Sequence, residues 1–117
     1  MKVYNHFIDG KWIEPTKNEY FDTENPFTGE VWAKVARGCE KDADLAVKAA
    51  KAAFDTGAWA DMRPTQRGKL LVRLAEIIER ESERLANIEV RDNGKLITDM
   101  SAQTKYLAEW YRYFGGL

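Results

Sequence analysis

Apolar and polar positions alternate in the first third of the chain, and this period of two is typical of β-strands. Asp9-Gly10 separates two short apolar runs and predicts a β-hairpin with a two-residue turn. The alternation is clearest over residues 31–35, which we expect to form a half-buried strand. We therefore predict an antiparallel meander of short strands over about residues 4–37.

The hydrophobic spacing then changes to three and four residues, the period of a helix. Small apolar side chains recur from about Glu40 to Asp55 and predict a helix with one face suited to close packing. A second periodic segment begins near Pro64, which the first turn of a helix accepts, continues or breaks at Glu81, and ends at Gly94. A last helix is expected over about residues 98–114.

The periodicity also predicts which faces of the later helices are buried. On the second helix these positions are Leu70, Leu71, Leu74, Ile77 and Ile78, and on the last they are Leu107, Trp110, Tyr111 and Phe114. The sequence contains no linker, repeat or low-complexity tract. The expected fold class is an α+β fragment, in which a short antiparallel β-meander precedes three or four helices over about residues 40–114.

The composition argues against several classes of partner. The 117 residues carry a formal net charge of −1 and no basic stripe, so we expect no nucleic-acid partner. No apolar run has the length of a signal peptide or a membrane span, and we expect no membrane association. A single cysteine agrees with a reducing compartment, and we predict a cytoplasmic protein.

Two residues deserve a chemical interpretation. Cys39 lies at the expected N-cap of the first long helix, three residues before Asp42, and we interpret it as a weak substitute for a hydroxyl cap. A thiolate activated by the helix N-terminus is the alternative, although the nearby carboxylates oppose it. His6 has no nucleophile or paired carboxylate at motif spacing, and we interpret it as a surface residue.

Catalytic and cofactor-binding motifs are missing from the printed residues. The eight glycines form neither a Gly-x-Gly-x-x-Gly fingerprint nor a phosphate loop that ends in Gly-Lys-Ser or Gly-Lys-Thr. The glutamates of the second helix are interleaved with arginines and have no apolar surroundings that would shift their pKa. We therefore assign no catalytic residue and no cofactor-binding residue to this chain.

Several motifs nevertheless occur in an ordered set. Asn25-Pro26-Phe27-Thr28-Gly29 predicts a tight turn between two strands. The others are Phe7-Ile8-Asp9-Gly10-Lys11-Trp12, Asp42-x-Asp44-x-Ala46-Val47, Ala53-Phe54, Trp59, Arg67, Asp92-Asn93-Gly94-Lys95 and Arg112-Tyr113-Phe114. This succession resembles the N-terminal stretch of the NAD(P)-dependent aldehyde dehydrogenase family.

The resemblance implies a reaction and a place in a larger fold. Such enzymes oxidise an aldehyde to a carboxylic acid: a Cys attacks the carbonyl, hydride passes to NAD⁺ or NADP⁺, and a Glu-activated water releases the acyl group. The catalytic Cys, Glu and Asn come later in the family than residue 117. Residues 1–117 would then be a partial domain, the N-terminal segment of the NAD(P)-binding domain in the α/β aldehyde dehydrogenase fold, inactive in isolation and part of a homo-oligomer when full-length.

Two sites are implied by the same resemblance. Family members with a structural Na⁺ or K⁺ take ligands from positions that here are Thr23, Glu24 and Asp92. The family also places a side chain at the mouth of the substrate tunnel where this chain has Tyr106, with Trp110 and Tyr113 expected to border the same wall. An aromatic residue there would favour bulky or cationic aldehydes. The sequence leaves open which aldehyde is used and whether the cofactor is NAD or NADP.

An autonomous protein-interaction module that uses the aromatic last helix is the alternative function. The enzyme fragment and the autonomous module predict different exposure of the apolar helix faces. A fragment should leave uncovered the faces that its missing sheet would have covered, such as those around Ala46 and Ala50 or Leu107 and Phe114. An autonomous module should melt cooperatively as a monomer.

Overall fold

The computed structural model describes all residues from Met1 to Leu117. They divide into two compact units, Met1–Asp61 and Met62–Leu117, although the sequence shows no linker between them. The first unit contains the strands and two helices, and the second contains three helices. No helix in either unit combines the length and the apolar character that crossing a bilayer demands.

The first unit begins with five short strands. They are β1 (Lys2–Tyr4), β2 (His6–Ile8), β3 (Lys11–Ile13), β4 (Tyr20–Glu24) and β5 (Val31–Ala36). Strands β2 and β3 form the predicted antiparallel hairpin, with Phe7 opposite Trp12. Asp9 and Gly10 both have positive φ, 53° and 72°, as a two-residue turn of the type favoured in hairpins requires. The hairpin prediction is confirmed.

The predicted all-antiparallel meander is wrong in one respect. Strands β1, β5 and β4 form a separate sheet in that order, and β1 runs parallel to β5, with Val3 opposite Lys34. Parallel neighbours need a long crossover, and the hairpin and β4 lie between these two strands in sequence. Local alternation predicts that a strand exists but does not identify its partner, so this long-range pairing was not visible in the sequence.

The Asn-Pro-Phe-Thr-Gly segment forms the expected turn between β4 and β5. The side chain of Asn25 accepts a hydrogen bond from the Phe27 N–H at 3.0 Å, and its carbonyl accepts one from the Gly29 N–H at 2.8 Å. Gly29 has a φ of 69°, a value that glycine adopts without strain. The turn closes on an exposed tip, where Phe27 is almost fully exposed.

Two helices complete the first unit: α1 (Glu40–Thr56) and the one-turn α2 (Ala58–Asp61). The predicted helix is confirmed within one residue, but its small apolar stripe is not buried. Ala46, Ala50 and Phe54 are exposed, and the buried side chain of α1 is that of Asp42. A polar contact at the first turn joins this helix to the loop after β3.

The second unit consists of α3 (Pro64–Arg80), α4 (Ser82–Asn93) and α5 (Ile97–Gly115). The periodic segment that begins at Pro64 breaks at Glu81, which has φ −93° and ψ 4°. Helix α4 ends at Gly94 in the left-handed conformation, with φ 72°, as expected of a glycine C-cap. The α+β fold class is confirmed, with four helices of at least twelve residues and the one-turn α2.

Helices α3 and α5 pack through small side chains, which corrects the predicted buried faces. A Cβ placed on Gly68 would lie 2.3 Å from the carbonyl oxygen of Gly115, so the backbones touch. Ala75 and Ala108 are fully buried in the same unit. Of the predicted positions, Leu71, Ile78 and Tyr111 are half-buried, whereas Leu70, Leu74, Ile77, Leu107, Trp110 and Phe114 are exposed.

Hydrogen bonds and ion pairs complete the second unit. The hydroxyl of Thr104, buried in α5, lies 2.8 Å from the Met100 carbonyl and 3.1 Å from the Ser82 carbonyl. It thereby ties α5 to the beginning of α4. Arg112 of α5 pairs with Glu79 of α3 and with Glu109, and these carboxylates raise the pKa of its guanidinium. Exposed pairs of this kind contribute little, so the small-residue contact dominates the packing.

Candidate functional site

Asp42 is the centre of the polar cluster in the first unit. Its Oδ1 accepts hydrogen bonds from both the N–H and the hydroxyl of Thr16, at 3.0 and 2.6 Å. Its Oδ2 accepts one from the N–H of Cys39 at 2.9 Å. The carboxylate is only 4% exposed. It therefore joins the loop after β3 to the first turn of α1.

These contacts hold the carboxylate in its ionised form. The Thr16 hydroxyl and the Cys39 N–H lower the pKa of Asp42 far below its ordinary value, and burial only partly opposes them. A carboxylate with such a low pKa is a poor proton acceptor at neutral pH. The cluster is thus suited to fixing the backbone and poorly suited to acid–base catalysis.

Cys39 occupies the predicted N-cap of α1, and Asp42 is the third residue of the helix. The interpretation of Cys39 as a cap position is confirmed. The contact between Asp42 and the N-cap N–H is half of a capping box, with Asp in place of the usual Glu. The half-buried Cys39 is followed by the acidic Glu40 and lines the same cavity as His6 and Asp42.

The interpretation of His6 as a surface residue is wrong. Its side chain is 21% exposed, and its Nε2 is buried without a hydrogen-bond partner, 3.9 Å from Asp42 Oδ2. The imidazole faces inward from β2 and lies over Gly38, where an added Cβ would be 3.4 Å from its Cε1. Together with Cys39 and Asp42, His6 lines a cavity of about 570 Å³.

The first unit contains one transition from a strand to a helix, at β5 and α1, where a dinucleotide phosphate would be sought. The residues there do not fit a phosphate. Glu40 and Asp42 place negative charge in the first turn of α1. In addition, Asp42 already accepts the hydrogen bond from the Cys39 N–H that a bound anion would need. The N-terminus of α1 is therefore not suited to binding a phosphate.

A second cavity lies in the helical unit and has a volume of about 610 Å³. We call it the α5 groove, and its walls include Glu89, Lys95, Met100, Tyr106, Leu107 and Trp110. The rings of Tyr106 and Trp110 are perpendicular, with their centroids 6.0 Å apart. Both side chains are more than half exposed, so a flat or rounded apolar group has access to them.

Comparison with known proteins identifies the family. Residues 12–117 match the family model described as the aldehyde dehydrogenase family. The chain belongs to this family. The motifs that suggested the resemblance lie on the hairpin, the Asn25 turn, helices α1, α2, α3 and α5, and the C-cap of α4. They are therefore features of the scaffold.

Individual relatives agree with the family match. The chain is 41% identical over its whole length to a (Z)-2-((N-methylformamido)methylene)-5-hydroxybutyrolactone dehydrogenase of Acinetobacter baylyi, of which it covers 24%. It is 39% identical over 95% of its length to a betaine aldehyde dehydrogenase of Bacillus subtilis, of which it covers 23%. An NAD⁺ complex of a Bacillus cereus aldehyde dehydrogenase superposes with a TM-score of 0.93 at 38% identity, with coverage of 98% of this chain and 24% of that one.

The chain thus spans about a quarter of the length of the relatives that it matches. The faces expected to be uncovered in a fragment are indeed exposed, both around Ala46 and Ala50 on α1 and around Leu107 and Phe114 on α5. Nothing in the structure or the relatives favours the alternative of an autonomous interaction module.

The predicted cation ligands lie at the ends of two elements. Thr23 and Glu24 are the last residues of β4, where the pairing with β5 shifts register. Asp92 lies in the last turn of α4, two residues before the Gly94 cap. Because the first two belong to one unit and Asp92 to the other, the cation site stays a prediction.

The sequence missed two features of these sites. Thr16 is 26 residues from Asp42, and no local pattern connects a loop hydroxyl to a helix carboxylate at that distance. The inward position of His6 was signalled only by the alternation of β2, in which His6 and Ile8 are half-buried and Phe7 is exposed. Three residues are too few for that period to be recognised with the sequence alone.

Proposed function

We propose that residues 1–117 form the N-terminal segment of the cofactor-binding domain of an enzyme that oxidises an aldehyde to a carboxylic acid with NAD⁺. The observation that carries this proposal is the superposition of nearly the whole chain on an NAD⁺-bound aldehyde dehydrogenase at 38% identity. The contribution of this segment is structural. It supplies strands and helices, while the catalytic Cys, Glu and Asn and the cofactor contacts belong to residues that follow in the family.

The first prediction concerns activity. Purified residues 1–117 should produce no NADH from aldehyde and NAD⁺, because the family places its catalytic Cys, Glu and Asn and its cofactor contacts in residues that follow this segment. A chimera in which they replace the matching segment of the Bacillus subtilis betaine aldehyde dehydrogenase should keep its activity within about tenfold, roughly 1.4 kcal/mol in the barrier. NADH fluorescence measures both.

The same Bacillus subtilis enzyme with the matching segment deleted is the control, and it should be inactive. An active deletion protein would show that the segment is dispensable. Aldehyde-dependent NADH formation by residues 1–117 alone would contradict the proposal directly.

We further propose that the full-length enzyme binds Na⁺ or K⁺ through Thr23, Glu24 and Asp92, since hard cations prefer oxygen ligands. Potassium or sodium chloride should then raise the melting temperature of the chimera above that in tetramethylammonium chloride at equal ionic strength. Asp92→Ala should abolish the difference. Asp99→Ala, which removes an exposed carboxylate from the first turn of α5, should preserve it. An unchanged difference in Asp92→Ala would refute the site.

We propose that Tyr106 borders the path of the substrate and favours bulky or cationic aldehydes. Its support is the α5 groove, in which the tyrosine ring is accessible and flanked by a second aromatic ring. The named substrate of one relative is betaine aldehyde, and that of another is a ring-containing hydroxybutyrolactone. Tyr106→Ala in the chimera should therefore raise the KM for betaine aldehyde relative to that for propionaldehyde, and an unchanged ratio would refute this role.

Three further properties are proposed for the whole enzyme. We propose a cytoplasmic location, which the single cysteine supports. We propose that NADP⁺ is an alternative cofactor, since the resemblance to the family implies either NAD⁺ or NADP⁺. We also propose a homo-oligomer, an assembly into which the exposed apolar faces would fit.

A further inference from the structure

Asn93 and Gly94, at the end of α4, form a chemically distinctive pair. The chain contains five asparagines, and Asn93 is the one that is followed by glycine. In an unfolded chain a backbone nitrogen can attack the side-chain amide carbon of the preceding asparagine, and glycine has no Cβ to hinder this approach. Asn93 is therefore the asparagine whose amide is most easily lost, unless the fold prevents the reaction.

The closed C-cap of α4 occupies the nitrogen that would attack. Gly94 is in the left-handed conformation, with φ 72°, and its N–H donates a hydrogen bond to the Val90 carbonyl at 2.9 Å. This bond belongs to the cap that satisfies the last carbonyls of the helix. Because the nitrogen must lose this proton before it attacks, the cap opposes the reaction for as long as it stays closed.

The side-chain amide of Asn93 is also held at both ends. Its Nδ2 donates a hydrogen bond to Glu89 Oε2 at 2.9 Å, and its Oδ1 accepts one from the Lys95 N–H at 2.9 Å. The amide therefore cannot rotate freely without breaking a contact. All of these bonds lie at a helix end, where local opening costs less free energy than global unfolding does.

We infer that Asn93 is a site of spontaneous deamidation and that the C-cap of α4 controls its rate. When the cap opens, the Gly94 nitrogen loses its proton and bonds to Asn93 Cγ. The Cγ–Nδ2 bond breaks, the Nδ2 group leaves with that proton as ammonia, and a cyclic succinimide remains. Water then opens the ring at either carbonyl and produces aspartate or isoaspartate. The reaction consumes water, releases ammonia and requires neither an enzyme nor an oxidant.

The product does not fit the contacts that hold the intact amide. An aspartate at position 93 has no N–H to donate, and its carboxylate would lie beside that of Glu89, four residues earlier on the same face. A negative charge at a helix C-terminus is also unfavourable. Only the acceptor role towards the Lys95 N–H survives. Deamidation therefore converts a transient opening of the cap into a permanent one.

The first test compares deamidation in the folded and the unfolded chain. Residues 1–117 and the chimera are incubated at mildly alkaline pH with and without urea, and circular dichroism verifies the helix content of each sample. Mass spectrometry measures aspartate and isoaspartate at position 93. Deamidation should be at least about tenfold slower in the folded samples, which corresponds to about 1.4 kcal/mol of opening free energy. Asn87 of the same helix, which is followed by Ile88, should stay unmodified.

Two variants test the side-chain contact. Glu89→Ala removes the acceptor of the Asn93 amide and should speed deamidation of the folded chain about threefold, without changing the rate in urea. Glu83→Ala removes a carboxylate from the first turn of the same helix and is the matched control, with the rate of the parent. Equal rates with and without urea, or equal rates in the two variants, would refute control by the folded helix end. The absence of deamidation in urea would refute the site itself.

A second measurement examines the consequence of the reaction without the reaction itself. Asn93→Asp should lower the melting temperature of residues 1–117 by about 2–5 °C. Adding Glu89→Gln to Asn93→Asp should restore part of this loss, because the glutamine amide donates a hydrogen bond where the glutamate repels. If Asn93→Asp melted at the temperature of the parent, the modification would leave α4 intact and the permanent opening would be wrong.

Discussion

Gly68→Ala should destabilise the helical unit by about 2–3 kcal/mol, which is the upper part of the range for overpacked cores. Alanine normally stabilises a helix interior by about 1 kcal/mol relative to glycine, so the expected sign is opposite to the helix propensity. The added Cβ would lie 2.3 Å from the Gly115 carbonyl oxygen. Because that atom belongs to the backbone, no rotamer change relieves the clash, and α3 and α5 must move apart.

Gly116→Ala is the matched control on the same helix pair. Its Cβ would meet only the carbonyl oxygens of Tyr113 and Arg112, at 3.5 and 3.6 Å, which is ordinary contact. We expect a change within about 0.5 kcal/mol. Urea unfolding followed by helical circular dichroism measures both variants. If Gly68→Ala were as stable as Gly116→Ala, the close approach of the two backbones would be wrong.

The contact between α3 and α5 shows which structural features sequence periodicity predicts and which it does not. The start of α3, the end of α4 and the approximate bounds of α5 followed from Pro64, Gly94 and the helical period, because these signals act locally. The break between α3 and α4 at Glu81 was left open. The buried faces did not follow, since periodicity favours the largest apolar residues as the contact face. Here Gly68 and Gly115 form the contact instead. Most of the large apolar residues of the predicted faces are exposed.

The candidate sites also contain some features that the sequence predicts and others that only the structure shows. Cys39 as N-cap and Asp42 as third helical residue were predictable, because a capping box has a fixed spacing. The Thr16 contacts and the parallel pairing of β1 with β5 were not, since each joins segments more than 25 residues apart. The role of Tyr106 was implied only by the resemblance to the family. That Trp110, and not Tyr113, shares its groove required the positions of the rings.

Asp42→Asn should destabilise the first unit at neutral pH and leave it less sensitive to acid. The folded-state pKa of Asp42 lies far below its unfolded value, so the ionised carboxylate favours the folded state. This contribution is fully present above about pH 5 and is lost as the pH falls through the folded pKa. The melting temperatures of parent and variant should therefore differ most near neutral pH and converge as the pH falls below about 4.

The size of the effect depends on what replaces the carboxylate. Asparagine keeps one acceptor oxygen, so it can serve either Thr16 or Cys39, whereas alanine serves neither and should lower the melting temperature further. Asp44→Asn removes the same charge from an exposed position two residues along α1 and should leave the pH profile parallel to that of the parent. Parallel profiles for Asp42→Asn as well would show that general helix charge, rather than the Thr16 and Cys39 contacts, governs the acid response. Converging profiles for Asp42→Asn alone would place the response in those contacts, and hence in the junction of the β3 loop with α1.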